Sequence, residues 1–440
     1  MIGNPLLLGD EGGYNLTRSL RFRSSASAYL SRTPPVASNR KTWTFSFWFK
    51  RGKLGAAQAL MDTRPVLSDS QATNIYINSS DVLLMSGYSL DWRITNQVFR
   101  DPAAWYHCVI ALDTTQATAS NRIKIYINGS QVTSFSTSND PSLNADLGYN
   151  QAAQVAIGSL GNGASTYYDG YMAEVNFIDG QALTPSSFGA YSIYNQWLPK
   201  KYAGTYGTNG FYLPFTNNAS AATLGNDFSG NGNTWTTNNI SVTAGNTYDS
   251  MTDVPTLTSA TAANYCVLNP LECLNSTLSN ANLTVAVSPT GGGITASSLA
   301  VTTGKWYCEL TFASTAGGTA VSIGVGPTST YQPNIFSVGV NYYAGDGSKY
   351  VSGVNTAYGA TWTTGDIMAI ALDVDGGTIT FYKNNTSQGA ITLPASSSGW
   401  KIVLQNGGGG TSKTFNCNFG QQPWTYSPPS GYVALNTFNL

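Results

Sequence analysis

Histidine, glutamate and charge are what this sequence has least of. Its 440 residues include one histidine, four glutamates and 10 % charged side chains, against roughly 25 % in an ordinary globular chain. With His107 the lone imidazole, histidine relays and His-rich metal centres are excluded, and the Cys spacings supply no zinc site. The 21 basic and 22 acidic side chains leave a net charge of −1. No global field therefore draws in nucleic acid or an anionic membrane, and neither is an expected partner. No run approaches 18 apolar residues, so no helix of this sequence is expected to span a bilayer. The opening MIGNPLLLGDEGG places no basic stretch before Leu6–Leu8, and that apolar run is too short for a secretory signal. Five cysteines (Cys108, Cys266, Cys273, Cys308, Cys417) form an odd, sparse set and no disulfide framework. Together these features predict synthesis in a reducing cytoplasm, with five free thiols.

What the chain does have is apolar and aromatic mass: 42 % hydrophobic and 12 % aromatic residues, enough to build cores despite the missing charge. Helical periodicity is nearly absent. Short β-branched and aromatic runs recur instead, broken every 8–15 positions by Gly, Asn, Asp or Pro, which predicts an all-β protein of antiparallel sandwiches. The first half carries strands at 42–50 (TWTFSFWFK), 105–113 (WYHCVIALD), 122–128 and 171–177. In 42–50, Trp43, Phe45, Phe47 and Phe49 share one face, and Thr44, Ser46 and Trp48 the other. The second half carries strands at 305–312, 366–374, 378–383 and 414–419. Between them, 216–256 is rich in Asn, Gly and Thr and reads as an irregular connector whose large apolar residues are Leu224, Phe228 and Trp235. The predicted organisation is a 1–14 N-terminal segment, a sandwich over 15–215, the connector over 216–256 and a second sandwich over 257–440. Ten of the 21 basic residues fall in the first 64 positions, which describes either a solvated face or a docking surface for an acidic assembly.

One hairpin pattern occurs twice. IALD at 110–113 precedes a turn and IYING at 125–129; IALD at 370–373 precedes Asp-Gly-Gly at 375–377 and FYKN at 381–384. Asp-Gly-Gly suits a tight hairpin because the turn needs positive φ. Two copies at this distance imply two sandwiches of related topology.

On these residues the chain resembles two families. FSFWF at 45–49, WYHCV at 105–109, IYING at 125–129, DGYMAEV at 169–175 and ALTP at 182–185 resemble a laminin-G-like, concanavalin-A-like jelly roll. GKWYCEL at 304–310, GDI at 365–367 running into ALD at 371–373, ITFYKN at 379–384 and FNCNFG at 415–420 resemble a SPRY domain. The pairing, with LGNDFSGNGN at 224–233 before DVPT at 253–256, is similar to virion fibre or tail proteins of tailed bacteriophages. That resemblance implies a virion location, other virion proteins as partners, and a homo-oligomer, with a trimer as the fibre-like arrangement.

Concanavalin-type sandwiches include glycosidases, which need two carboxyls close together on one face. The Glu-x-Asp-x-x-Glu pattern is missing, and Asp169 and Glu174, five apart, fall on opposite faces of a regular strand. His107, inside a packing strand, reads as structural. Calcium takes carboxylate and carbonyl oxygens from loops; Asp146, Asn162 and Asp169 are the weak candidates, and no other cofactor is implied. Sugar recognition needs exposed aromatic faces beside Asn, Asp or backbone groups. Loop aromatics that meet this description are Tyr88, Trp92, Tyr149, Tyr167 and Tyr168 in the first sandwich, and Tyr331, Tyr342, Tyr343, Tyr350 and Tyr358 in the second. The same tyrosines would equally fill subunit contacts. Three readings result: a non-enzymatic phage tail fibre or receptor-binding component recognising host-surface polysaccharide; a capsid or neck decoration protein acting as a structural adhesive; and a glycan hydrolase, disfavoured by the carboxylate positions.

Overall fold

A computed structural model describes residues 14–63, 72–161, 163, 165–290, 292–314, 319–396, 398–408 and 412–440. The described residues are almost entirely in antiparallel strands and turns. Among them, helical conformation is confined to short 3-10 turns such as Ser24–Ala26 and Ala222–Gly225, and no helix of the described residues is long and apolar enough to cross a membrane. The protein is all-β. Two compact units divide it, one running to Thr243 and resuming over Thr247–Thr258, the other comprising Ala244–Asn246 and Ser259–Leu440.

In the first unit, one sheet orders its strands as Ser130–Gln131, Ile123–Ile127, Trp105–Asp113, Thr42–Arg51, Gly170–Asp179, Ser19–Phe22 and Ser250–Met251. The other runs Phe135–Ser138, Asp91–Val98, Val82–Gly87, Thr73–Ile77, Gln58–Asp62, Val155–Ile157, Tyr29–Arg32 and Thr236–Asn238. The alternation read from Thr42–Arg51 holds: Trp43, Phe45, Phe47 and Phe49 are fully buried with Ile75, Leu83 and Met85 of the facing sheet. The opposite face is covered as well. Thr44, Ser46, Trp48 and Lys50 are all buried, because the chain after Asp179 folds back over this sheet. Phe188 and Tyr202 pack there against Val109, Ala111 and Tyr126. Leu183 N donates to Thr44 Oγ1 at 2.8 Å, and Thr44 Oγ1 donates to Gln181 O at 2.7 Å.

The segment expected to be a connector is irregular, yet all of it except Ala244–Asn246 belongs to the first unit. Leu224, Trp235 and Ile240 sit in the inter-sheet core, and Trp235 lies edge-on to Phe211 at 4.8 Å. Phe228 stays exposed. Its acidic residues also account for the basic N-terminal stretch. Arg21 and Arg23 pair with Asp249, and Lys50 with Asp253; Arg51 pairs with Asp81. All four cations are buried. Of the described basic residues in this stretch, Lys53 alone is exposed. The expectation of a solvated or docking basic face is therefore corrected: buried charges persist only when paired, and these cations are used internally.

The second unit has one sheet ordered Leu268–Leu274, Ile294–Ser297, Trp400–Asn406, Val321–Pro327, Val340–Tyr343, Ser348–Val351 and Val354–Ala357. Its other sheet runs Ser276–Ser279, Thr284–Val287, Lys413–Asn418, Lys305–Ser314, Ile367–Asp373, Thr378–Lys383 and Thr386–Thr392. The repeated hairpin pairs antiparallel in both units, Leu112 with Ile123 and Leu372 with Ile379. Its terminal asparagines play the same part twice. Asn128 and Asn384 adopt φ of +48° and +45°, a region Asn tolerates. Their Oδ1 atoms accept from His107 N at 2.8 Å and Ile367 N at 2.9 Å.

Candidate binding site

Two of the aromatic candidates fall on one hairpin. Val82–Gly87 and Asp91–Val98 pair antiparallel, with a register shift between Met85 and Ser86. The turn between them presents Tyr88 and Leu90, each 48 % exposed. A cleft of about 360 Å³ opens beside this turn, lined by Asn74, Tyr76, Ser86, Tyr88, Asp91 and Thr166 among others. A second of about 260 Å³ shares Gly87–Leu90 as its wall and adds Trp92, Asp146 and Leu147. Small-ligand sites span roughly 300–1,000 Å³, so the first cleft is large enough for one. Trp92 is 7 % exposed and belongs to the core. A Cβ on Gly87 would come within 2.9 Å of its indole, so the glycine lets this ring pack closely against the turn. The tyrosine projects while the tryptophan supports it. Asn74 Nδ2 donates to Ser86 Oγ at 3.3 Å, fixing two polar groups in the larger cleft.

The other aromatic candidates are placed differently, and four are corrected. Trp92 supports the turn. Tyr149, Tyr168 and Tyr342 are at most 1 % exposed and cannot stack on a soluble sugar. Tyr149 donates to Met61 O at 3.0 Å and meets Trp43 edge-on. Tyr168 donates to Lys50 O at 2.8 Å, and Tyr342 donates to Ala360 O. Each hydroxyl found a backbone carbonyl inside the fold, the usual condition for burying tyrosine. Tyr167 is half-buried and donates to Gly163 O. In the second unit Tyr331 is 65 % exposed. Tyr343 and Tyr350 are half-buried and gather around Phe336, with ring centroids at 6.0 and 5.1 Å. Tyr358 is half-buried, donates to Gly389 O and lies under the Lys349 ammonium at 5.2 Å. Residues the sequence reading did not single out are Asp91, Leu90 and Phe336. Placing Tyr88 at a hairpin apex was the available signal for the first two.

The carboxylates and the histidine resolve into separate structural roles. Glu174 lies at a break in register between Ala173 and Asn176 with φ of +52°, so the regular alternation used to judge it does not apply. It is buried and accepts from Tyr212 Oη at 2.9 Å and Tyr14 Oη at 3.4 Å, and burial raises its pKa to about 8. Asp169, also buried, accepts from Ser24 N and Ser24 Oγ at 3.1 and 2.8 Å. His107 stacks between Trp48 and Trp197 at 4.8 and 5.9 Å. Trp197 Nε1 donates to its Nδ1 at 2.9 Å, which places the ring proton on Nε2, 2.9 Å from Ser46 Oγ. Burial lowers its pKa to about 3. A Ser–His contact exists, but an indole replaces the orienting carboxylate and both side chains are buried. Of the calcium candidates, Asp146 is exposed and lines the smaller cleft, Asp169 is engaged by Ser24, and Asn162 lies outside the described residues. Among the described residues, no three His, Cys, Asp or Glu side chains gather into a metal cluster.

Residues 24–187 match a laminin-G family described as the Concanavalin A-like lectin/glucanases superfamily. Residues 305–399 match the SPRY domain. The chain thus carries a laminin-G-like (concanavalin A-like) domain followed by a SPRY domain. Among solved structures, the SPRY domain of human HERC1 is 18 % identical with a TM-score of 0.33, covering 36 % of this chain and 99 % of its own. Another human SPRY domain is 16 % identical with a TM-score of 0.26, covering 31 % and 91 %. A Bacteroides ovatus protein, provisionally described as carbohydrate-binding, is 18 % identical with a TM-score of 0.33, covering 51 % of this chain and 59 % of its own. No curated protein sequence matches the chain.

Proposed function

We propose that the chain is a non-catalytic virion protein of a tailed bacteriophage, a tail-fibre or receptor-binding component that holds host-surface polysaccharide. The observation that carries this reading is Tyr88, exposed at a hairpin apex between two clefts that hold amide, hydroxyl and carboxylate groups. The phage assignment rests on the resemblance of the domain pairing and connector to virion proteins. One such site binds weakly. Display on a homo-oligomer, three-fold in the fibre arrangement, would raise avidity by about 10²–10⁴. Other virion proteins are the remaining partners. The proposed binding uses no cofactor, so retention should survive chelation of calcium by EDTA; loss on chelation would assign a role to Asp146 or Asp169.

A capsid or neck decoration role is the second reading. It is favoured by Tyr191, Ile193 and Tyr194, which are 49, 76 and 52 % exposed on one hairpin of the first unit and suit a protein contact. Incubating the protein with host envelope glycans, and measuring both retention and new reducing ends, separates the readings. Retention without new reducing ends supports the adhesin. New reducing ends would make the chain a hydrolase. Absence of retention, with the protein found on assembled particles, would leave decoration.

A further inference from the structure

The carboxylates beside Tyr88 differ from their neighbours in having no hydrogen-bond or ion-pair partner among the described residues. In the first unit Asp81, Asp140, Asp249 and Asp253 are ion-paired, and Asp169 and Asp227 accept hydrogen bonds. Asp91 and Asp146 have neither kind of side-chain partner among the described residues, and each lines one of the two clefts that share the Tyr88 turn. No Lys, Arg or His lines either cleft among the described residues. An ionised carboxylate only accepts hydrogen bonds. A hydroxyl-rich ligand satisfies it, whereas an anionic ligand brings like charge against it in the cleft.

Resting on the glycan-binding reading of this site, we infer that Asp91 and Asp146 are specificity-determining residues that select an uncharged, hydroxyl-rich glycan and reject acidic polysaccharide. Tyr88 stacks on the ring face and does not discriminate charge. The carboxylates take the hydroxyl donors on either side of it and set the sign of the ligand.

The test uses the full chain on immobilised polymers at low salt: glucan, mannan and galactan as neutral probes, and polygalacturonate as the acidic one. Retention on at least one neutral polymer and none on polygalacturonate is expected. Tyr88→Ala should weaken neutral retention about five- to tenfold. The double variant Asp91→Asn, Asp146→Asn, with unchanged thermal unfolding, should acquire polygalacturonate retention or lose at least half of the discrimination. Polygalacturonate held by the unaltered chain as firmly as any neutral polymer, and released by Tyr88→Ala, would overturn the charge selection while leaving the glycan site standing. Retention of no polymer, or retention indifferent to Tyr88→Ala, would overturn the site itself.

Discussion

Lys50 Nζ lies 2.8 Å from Asp253 Oδ2, with both side chains completely shielded from solvent and 203 residues of chain between them. Trp105 Nε1 donates to the other carboxylate oxygen at 3.0 Å, and the ammonium sits 5.7 Å from the Tyr171 ring centroid. The pair pins the stretch before the second unit to the outer face of the first sheet. Removing one partner leaves a buried, uncompensated charge, which costs about 3–5 kcal/mol. Asp253→Ala is expected to lower first-unit stability by that amount in denaturant unfolding. Lys50→Met combined with Asp253→Leu should recover most of the loss; a double variant as unstable as the single one would show that the hydrogen bond from Trp105, and not the lone charge, dominates.

Two buried groups titrate in opposite directions, and their contributions to stability have opposite pH dependence. Burial raises the pKa of Glu174 from 4.5 to about 8. The folded state then holds this proton more tightly than the unfolded chain, so the contribution is complete below 4.5 and is lost as pH rises through 8. Burial lowers the pKa of His107 from 6.5 to about 3; its contribution is complete above 6.5 and is lost as pH falls toward 3. Glu174→Gln should flatten the decline in melting temperature between pH 5 and 9 while leaving the acid limb in place. An unaltered alkaline slope in that variant would remove Glu174 as its cause.

Tyr88 and Tyr342 separate binding from folding. Tyr88→Ala should weaken glycan retention by about 1 kcal/mol, the scale of one aromatic contact beyond its area, without changing thermal unfolding. Tyr342→Ala empties a packed position bounded by Tyr358, Trp362 and Phe381. A large aromatic removed from a core costs about 3–5 kcal/mol. Isothermal binding and chemical unfolding of both variants check the pair, and equal effects on folding would refute the assignment.

Thiol titration under denaturation should count five free groups. The closest test is Cys308 with Cys417. Leu310 faces Cys417 in the register of adjacent strands, which makes Cys308 a diagonal neighbour of Cys417. Diagonal neighbours have Cα atoms about 7–8 Å apart, outside the usual disulfide span of roughly 4.4–6.8 Å. A count of three would contradict this geometry.

The two sandwiches, the inward face of Thr42–Arg51 and the twice-used hairpin were legible in the sequence, because alternation and turn chemistry are local properties of the chain. The site was legible only in part. Tyr88 and Tyr331 are as exposed as their loop positions suggested, while Tyr149, Tyr168 and Tyr342 are buried. Tyrosine carries an apolar ring and a polar tip, and a distant carbonyl decides whether that tip can be taken inside.

By itself, then, the sequence determined that this chain folds into antiparallel β-structure with almost no helix. Only the tertiary structure decided where its few charges went. Arg21, Arg23 and Lys50 meet Asp249 and Asp253 across more than 200 residues, while Asp91 and Asp146 are left to face the clefts. Pairing of this kind is set by which loops cover which sheet face, and nothing in the spacing of residues along the chain encodes it.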